Sequence, residues 1–115
     1  MDELVQWLGE QLDKDATEIA DPYAASSWHA RRCEALPDVL YPDREPGACD
    51  CGVPARMLRE IDAKRRIIAK HALNGWVCST CDDGEVPPQA FPCPTLRLLA
   101  LPYTDRPGYS EEWRP

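Results

Sequence analysis

Every cysteine and histidine of the chain falls into one of two consecutive sets, each of one histidine and three cysteines. The first is His29, Cys33, Cys49 and Cys51; the second is His71, Cys78, Cys81 and Cys93. The first reads H-x3-C-x15-C-x-C and the second H-x6-C-x2-C-x11-C, with none of the six Cys and two His left over. Three thiolates and one imidazole form a standard tetrahedral shell for structural zinc. The second set is the better supported of the two, because in Cys78-Ser79-Thr80-Cys81 a tight turn brings two sulfurs to one cation. The first set ends in Cys49-Asp50-Cys51, a C-x-C, which is less diagnostic.

Other uses of these thiols stay open. A redox pair at Cys78 and Cys81 lacks the β-α-β setting of that chemistry. Two or three disulfides call for an exported protein, and six Cys in 115 residues is sparse for a disulfide scaffold. An iron–sulfur cluster draws on four cysteines. The start Met1-Asp2-Glu3 is acidic, with no basic region and apolar stretch of a secretory signal. A reducing cytoplasm is therefore expected, and with it one or two structural zinc ions.

The rest of the chain reads as helices joined by long loops. Leu4, Val5, Leu8, Leu12 and Ile19 mark a helix over residues 2–20, with Asp2 and Glu3 placed to suit its dipole. Residues 21–53 read as a Pro-rich loop carrying the first ligand set, with Pro22, Pro37, Pro42 and Pro46 as breakers and Ala25-Ser26-Ser27 as a turn. Loops of this length need tying down. A central helix is expected over 54–73, opened by Pro54 and stopped by Asn74-Gly75. A Cys-x-x-Cys loop follows over 74–93. A short helix is expected over 94–101, opened by Pro94 and stopped by Pro102. An aromatic tail, 102–115, carries Tyr103, Tyr109 and Trp113. The expected fold is mainly α: a small single domain, 1–115, of about three helices, its long irregular loops clipped by one or two zinc sites. Two metals would then pin loops at either end of the central helix. A crossed set of Cys49, Cys51, Cys78 and Cys81 would require the ends of that ~30 Å helix to meet.

Charge is unevenly spread. The formal net charge is −7, yet residues 53–74 carry six bases against two acids. These bases are Arg56, Arg59, Lys64, Arg65, Arg66 and Lys70, on the faces away from the apolar stripe. An acidic chain is a poor default for binding phosphate backbones. No apolar run reaches the ~20 residues needed to cross a bilayer.

Several phrases carry a resemblance. They are Leu4-Val5-Gln6-Trp7-Leu8; Ala63-Lys64-Arg65-Arg66-Ile67-Ile68 with the preceding Arg56 to Asp62; Cys93-Pro94-Thr95-Leu96-Arg97-Leu98-Leu99-Ala100-Leu101-Pro102-Tyr103; and Glu111-Glu112-Trp113. Together they resemble a family of small uncharacterised actinobacterial and actinophage proteins, a domain of unknown function. The resemblance covers the first helix and most of residues 50–115. It implies no activity. Relatives vary over residues 21–50, which implies that the first ligand set belongs to a subgroup. The phage association implies a host-interaction or regulatory role, in the host cytoplasm.

An enzyme is not expected. Zinc deaminases need H-x-E with P-C-x-x-C; here Ala30-Arg31 follow His29, Ala72-Leu73 follow His71, and Val77 precedes Cys78. No H-E-x-x-H occurs, and both histidines are better used as ligands than in a Ser/His/Asp arrangement. Catalytic zinc keeps an open position, whereas each set here is complete at four. The leading expectation is a zinc-stabilised module that binds another protein, with a homodimer compatible with the sequence. The alternative is a nucleic-acid-binding or transcription-modulating protein using the basic face of 54–73. A third option is a metal or redox sensor built on Cys49 and Cys51.

Overall fold

The structure is a computed structural model that describes residues 2–21, 28–30, 32–36, 38, 40–84 and 89–115. The helix breakers Pro22 and Pro37 and the turn at Ala25-Ser26-Ser27 lie outside the described residues.

Three α-helices dominate the described residues: α1 (Glu3–Ala20), α2 (Val53–Lys70) and α3 (Pro94–Ala100). Asp2 caps α1, its Oδ1 accepting from the Leu4 N–H at 2.9 Å and the Val5 N–H at 3.3 Å. That satisfies donors the first turn would otherwise leave orphaned. Leu4, Trp7, Leu8, Gln11, Leu12, Asp15 and Ile19 are buried along α1 at helical spacing. Trp7, at the edge of the stripe on sequence grounds, is 8% exposed and part of it.

The central helix ends three residues before the expected 73, at Lys70. Leu73–Asn74 is strand β1, paired antiparallel with β2 (Val77–Cys78), Leu73 opposite Cys78 and Asn74 opposite Val77. Asn74-Gly75 is therefore part of a hairpin rather than a helix stop. Gly75 has φ +65°, the left-handed region a two-residue hairpin turn demands of its first residue. The short helix ends at Ala100, and the chain continues as a 3-10 turn, Leu101–Tyr103, so Pro102 tightens the helix before ending it. A second 3-10 turn spans Glu111–Trp113.

The chain divides into two compact units. The first joins Met1–Asp13 to Asp62–Pro115 and the second is Lys14–Ile61. In the first, the core collects Leu4, Trp7, Leu8, Leu12, Cys78, Cys93, Leu96, Ala100 and Tyr103. The tail closes it. Trp7, Tyr109 and Trp113 form an aromatic trio with centroids 5.5–5.7 Å apart, and the Trp7 indole N–H donates to the Pro107 carbonyl at 3.0 Å. Arg97 on α3 ties the tail down, donating to the Pro92 carbonyl at 2.8 Å and the Glu112 carbonyl at 2.7 Å. In the second unit, the buried apolar residues among those described are Ile19, Cys33 and Ile61. A core of that size cannot by itself hold an irregular loop in place.

Candidate functional site

The structure brings each ligand set together inside one unit. In both sets the four ligand atoms lie within 4.8 Å of one another.

The second set is built on the end of α2. His71 is the first residue past that helix, its N–H still donating to the Ile67 and Ile68 carbonyls. The hairpin then turns the chain back, and the Ser79 N–H donates to the Ala72 carbonyl at 2.8 Å. The two residues inside Cys78-x-x-Cys81 close off the helix end, because the Ser79 and Thr80 hydroxyls both donate to the Lys70 carbonyl. That carbonyl is one of the acceptors a helix end leaves without an intrahelical partner. Cys93 arrives as the N-cap residue of α3. The His71 Nδ1 stands 3.4 Å from the Cys78 Sγ, 3.4 Å from the Cys81 Sγ and 3.5 Å from the Cys93 Sγ.

The first set is built from turns. The Cys33 N–H donates to the Ala30 carbonyl and the Leu36 N–H to the Cys33 carbonyl, both at 3.0 Å. Residue 34 joins the two halves of the loop. Its N–H donates to the Asp50 carboxylate at 3.0 Å, and its carbonyl accepts from the Gly47 N–H at 2.9 Å. The middle residue of the C-x-C thus fastens Cys49 and Cys51 beside Cys33. The His29 Nδ1 lies 3.2 Å from the Cys33 Sγ, 3.4 Å from the Cys49 Sγ and 3.6 Å from the Cys51 Sγ. Cys49 is 3.6 Å from both Cys33 and Cys51, sulfur to sulfur.

These distances fit a metal shell. Zn–S bonds of ~2.3 Å and Zn–N bonds of ~2.0–2.1 Å at tetrahedral angles give S···S edges of ~3.8 Å and S···N edges of ~3.6 Å. The observed edges fall at or slightly inside those values. They are far longer than the ~2.05 Å of a disulfide, and all six cysteines are free. Hydrogen bonding does not account for the clusters. One Nδ1 offers one lone pair or one hydrogen, so it cannot satisfy three sulfurs at once. One cation at the centre satisfies all four ligands. Both sets are geometrically suited to hold a metal ion.

The surroundings tune the sulfurs differently. Burial pushes the Cys78 thiol up, but N–H groups of Cys81 and Thr80 aim at its sulfur and, with His71, bring it down to about 7. Burial pushes Cys81 up to about 11, and the neighbouring sulfurs of Cys78 and Cys93 add to it. In the first set the Ala30 N–H, 3.5 Å from the sulfur, holds Cys51 down to about 6. Burial pushes the Cys33 thiol up. The Asp50 carboxyl is held low, chiefly by the Glu34 N–H.

The basic face of α2 is largely engaged. Arg56 pairs with Glu60 at 3.7 Å and Arg66 with Asp62 at 3.0 Å, one turn apart on the helix. Arg65 reaches Asp13 at 2.6 Å. The Lys64 ammonium donates to the Tyr103 hydroxyl at 2.9 Å and lies over that ring.

Sequence reasoning missed the hairpin and what it displays. Trp76, at its tip, is 89% exposed, and Leu73 on β1 is half-exposed. Gly75, which takes the first turn position with φ +65°, was the available signal. Among the described residues, no helix is long and apolar enough to cross a membrane. No curated protein and no solved structure matches the chain. One family model does match, over residues 1–115, and by it the chain belongs to DUF6221, a family of unknown function.

Proposed function

We propose that both Cys3His sets hold structural zinc and that the chain is a zinc-stabilised protein-interaction module. One observation carries the zinc reading: in each set a single imidazole nitrogen faces three sulfurs at the edge lengths of a tetrahedral zinc shell. Each shell is complete at four protein ligands, the hallmark of structural rather than catalytic zinc. The cavity against the second set is about 10 Å³, room for a water. Substrate pockets run to ~300–1,000 Å³, so the size of this cavity supports a structural reading of the set over a catalytic one.

The interaction reading rests on what each metal-tied segment displays. The hairpin leaving His71 presents Trp76 and Leu73. The loop between Cys33 and Cys49 presents Leu40, 80% exposed, and Tyr41, 65% exposed. Exposed aromatics on short, clipped segments are the anchors that protein interfaces use. The resemblance to actinophage proteins fits a cytoplasmic host protein as the partner. Nucleic acid is the weaker reading. Two zinc ions with six thiolates take the net charge to about −9. Of the six α2 bases, only Arg59 and Lys70 have no partner among the described residues.

Elemental analysis of untagged protein in reducing buffer should give about two zinc per chain. Capture from host lysate should yield a protein partner that Trp76→Ala loses while its zinc content stays unchanged. Absence of zinc would overturn the first half of the reading. Capture that Trp76→Ala and a Leu40→Ser, Tyr41→Ser double variant leave intact would overturn the second.

A further inference from the structure

The two sets differ in a way a purely structural pair need not. In the second, Cys78 and Cys93 are 4% and 1% exposed and Cys81 is half-buried. In the first, Cys49 is exposed, Cys51 is half-buried and only Cys33 is buried. Residues 40–50 are exposed throughout and lie in no helix or strand. The exposed Cys49 sulfur has two sulfur neighbours at 3.6 Å, one on either side in sequence. A small solute can therefore reach one sulfur of the first set and find a second thiolate in position beside it.

We propose that the His29, Cys33, Cys49, Cys51 set is an oxidation site for hydroperoxides, at which Cys49 reacts, a disulfide closes and the metal leaves, while the second set stays closed. This rests on the reading that both sets hold zinc.

The step balances. The Cys49 thiolate attacks one peroxide oxygen, the O–O bond breaks, and a sulfenic acid and hydroxide form. The thiolate of Cys33 or Cys51 then attacks the Cys49 sulfur and expels a second hydroxide. Two thiolates lose two electrons, one hydroperoxide gains them, and two protons from solvent convert the hydroxides to water. In Cys33–Cys49 or Cys49–Cys51 form, the set keeps one thiolate and one imidazole, too few to hold zinc. Closing the bond needs the sulfurs to approach from 3.6 Å to ~2.05 Å. An exposed loop without regular hydrogen bonding can give that distance. The second set is less open: Cys78 and Cys93 are buried, Cys81 is half-buried, and none of its sulfurs belongs to an exposed residue as Cys49 does.

The test uses the intact zinc-loaded chain. Zinc content is measured first; then hydrogen peroxide is added in the presence of a zinc-sensing dye. Thiols are counted and disulfides located by peptide mapping. The expected result is release of half of the zinc with loss of about two thiols, the bond mapping to Cys49 with Cys33 or Cys51. A dithiol reductant with added zinc should restore the starting state. Loss of zinc from both sets together, first loss from Cys78, Cys81 and Cys93, or no loss before general unfolding would each overturn the proposal. In those cases the zinc reading itself would stand. A chain that holds no zinc before peroxide is added would refute that reading and this inference with it.

Discussion

Replacing Gly108 with alanine tests the closure of the first unit by its tail. Gly108 has φ +90°, where an L-residue is strained by ~1–2 kcal/mol. A Cβ there would lie 2.7 Å from the Trp7 Nε1 and 3.0 Å from its Cδ1. The indole cannot retreat freely. Its N–H is bound to the Pro107 carbonyl, and Tyr109 and Trp113 pack against it with centroids 5.7 and 5.5 Å away. Inserting a methyl into such a site costs ~1–3 kcal/mol. The two effects together predict a loss of ~2–5 kcal/mol, or ~8–20 °C in Tm for a chain of this size. Gly84→Ala is the matched control: its φ is +79°, but nothing lies within 4 Å of the added Cβ. Thermal unfolding by circular dichroism, in zinc-containing buffer, compares the two. The near-ultraviolet signal of the tryptophans should change only in Gly108→Ala. Equal destabilisation of the two variants would refute the packing argument and leave backbone strain alone.

Further measurements reach other parts of the molecule. Asp2→Ala removes the α1 cap and should cost ~1 kcal/mol, seen as a fall of ~4 °C in Tm; an unchanged Tm would mean that solvent satisfies those N–H groups as well as the carboxylate does. Arg97→Ala deletes two charge-assisted bonds to backbone carbonyls, each worth ~1.5–3 kcal/mol. Amide exchange should accelerate over residues 109–114 before it does in α1, and uniform acceleration would argue against a local tether. Protons and zinc compete for the same sulfurs, so zinc release to a chelator should rise as pH is lowered from about 8 to about 4. Cys51 and Cys78, drawn down to about 6 and about 7, keep one thiolate in each set near neutrality, and their share of the binding is lost as pH falls through those values. Release independent of pH over that range would contradict thiolate ligation.

How far the sequence reaches depends on how local the governing physics is. The α1 stripe was legible because Leu4, Leu8, Leu12 and Ile19 repeat at helical spacing, and all four are buried. The grouping of the eight Cys and His residues was legible because they fall consecutively into two sets of one His and three Cys, each with two cysteines paired by a short turn. The hairpin was not. Its strands are two residues each, too short for any alternation to register. Asn74-Gly75 fits a helix stop as well as a hairpin turn, and the C-x-x-C that pulls the chain back decides between them. The charged face of α2 was legible only in part, for the opposite reason. Its bases are easy to count, but their partners Asp13 and Tyr103 lie 52 and 39 residues away in sequence. The roles of Arg97, Gly108 and Trp7 likewise depend on contacts that no local pattern records.

The distribution of apolar burial says where metal matters most. The first unit buries leucines from two helices, a tyrosine and the Trp7 ring, and its metal set supplements a core that already exists. The second buries only Ile19, Cys33 and Ile61 among its described apolar residues, and Cys33 is itself a ligand. What fixes its loop is the ligand set, the Asp50 and Gly47 bonds to residue 34, and an exposed Arg44–Asp38 pair at 4.0 Å. Exposed pairs of that kind contribute ~0–1 kcal/mol. Removing zinc with a strong chelator should therefore strip amide protection from residues 28–30, 32–36 and 40–52 while α3 and the aromatic trio keep theirs longer. Hydrogen exchange read by mass spectrometry resolves the two. Simultaneous loss in both units would show that the second set also carries its unit, and that the leucine core is insufficient alone. Ordered loss would show that the unit with the least apolar core behind it is the one whose loop depends most on its ligand set.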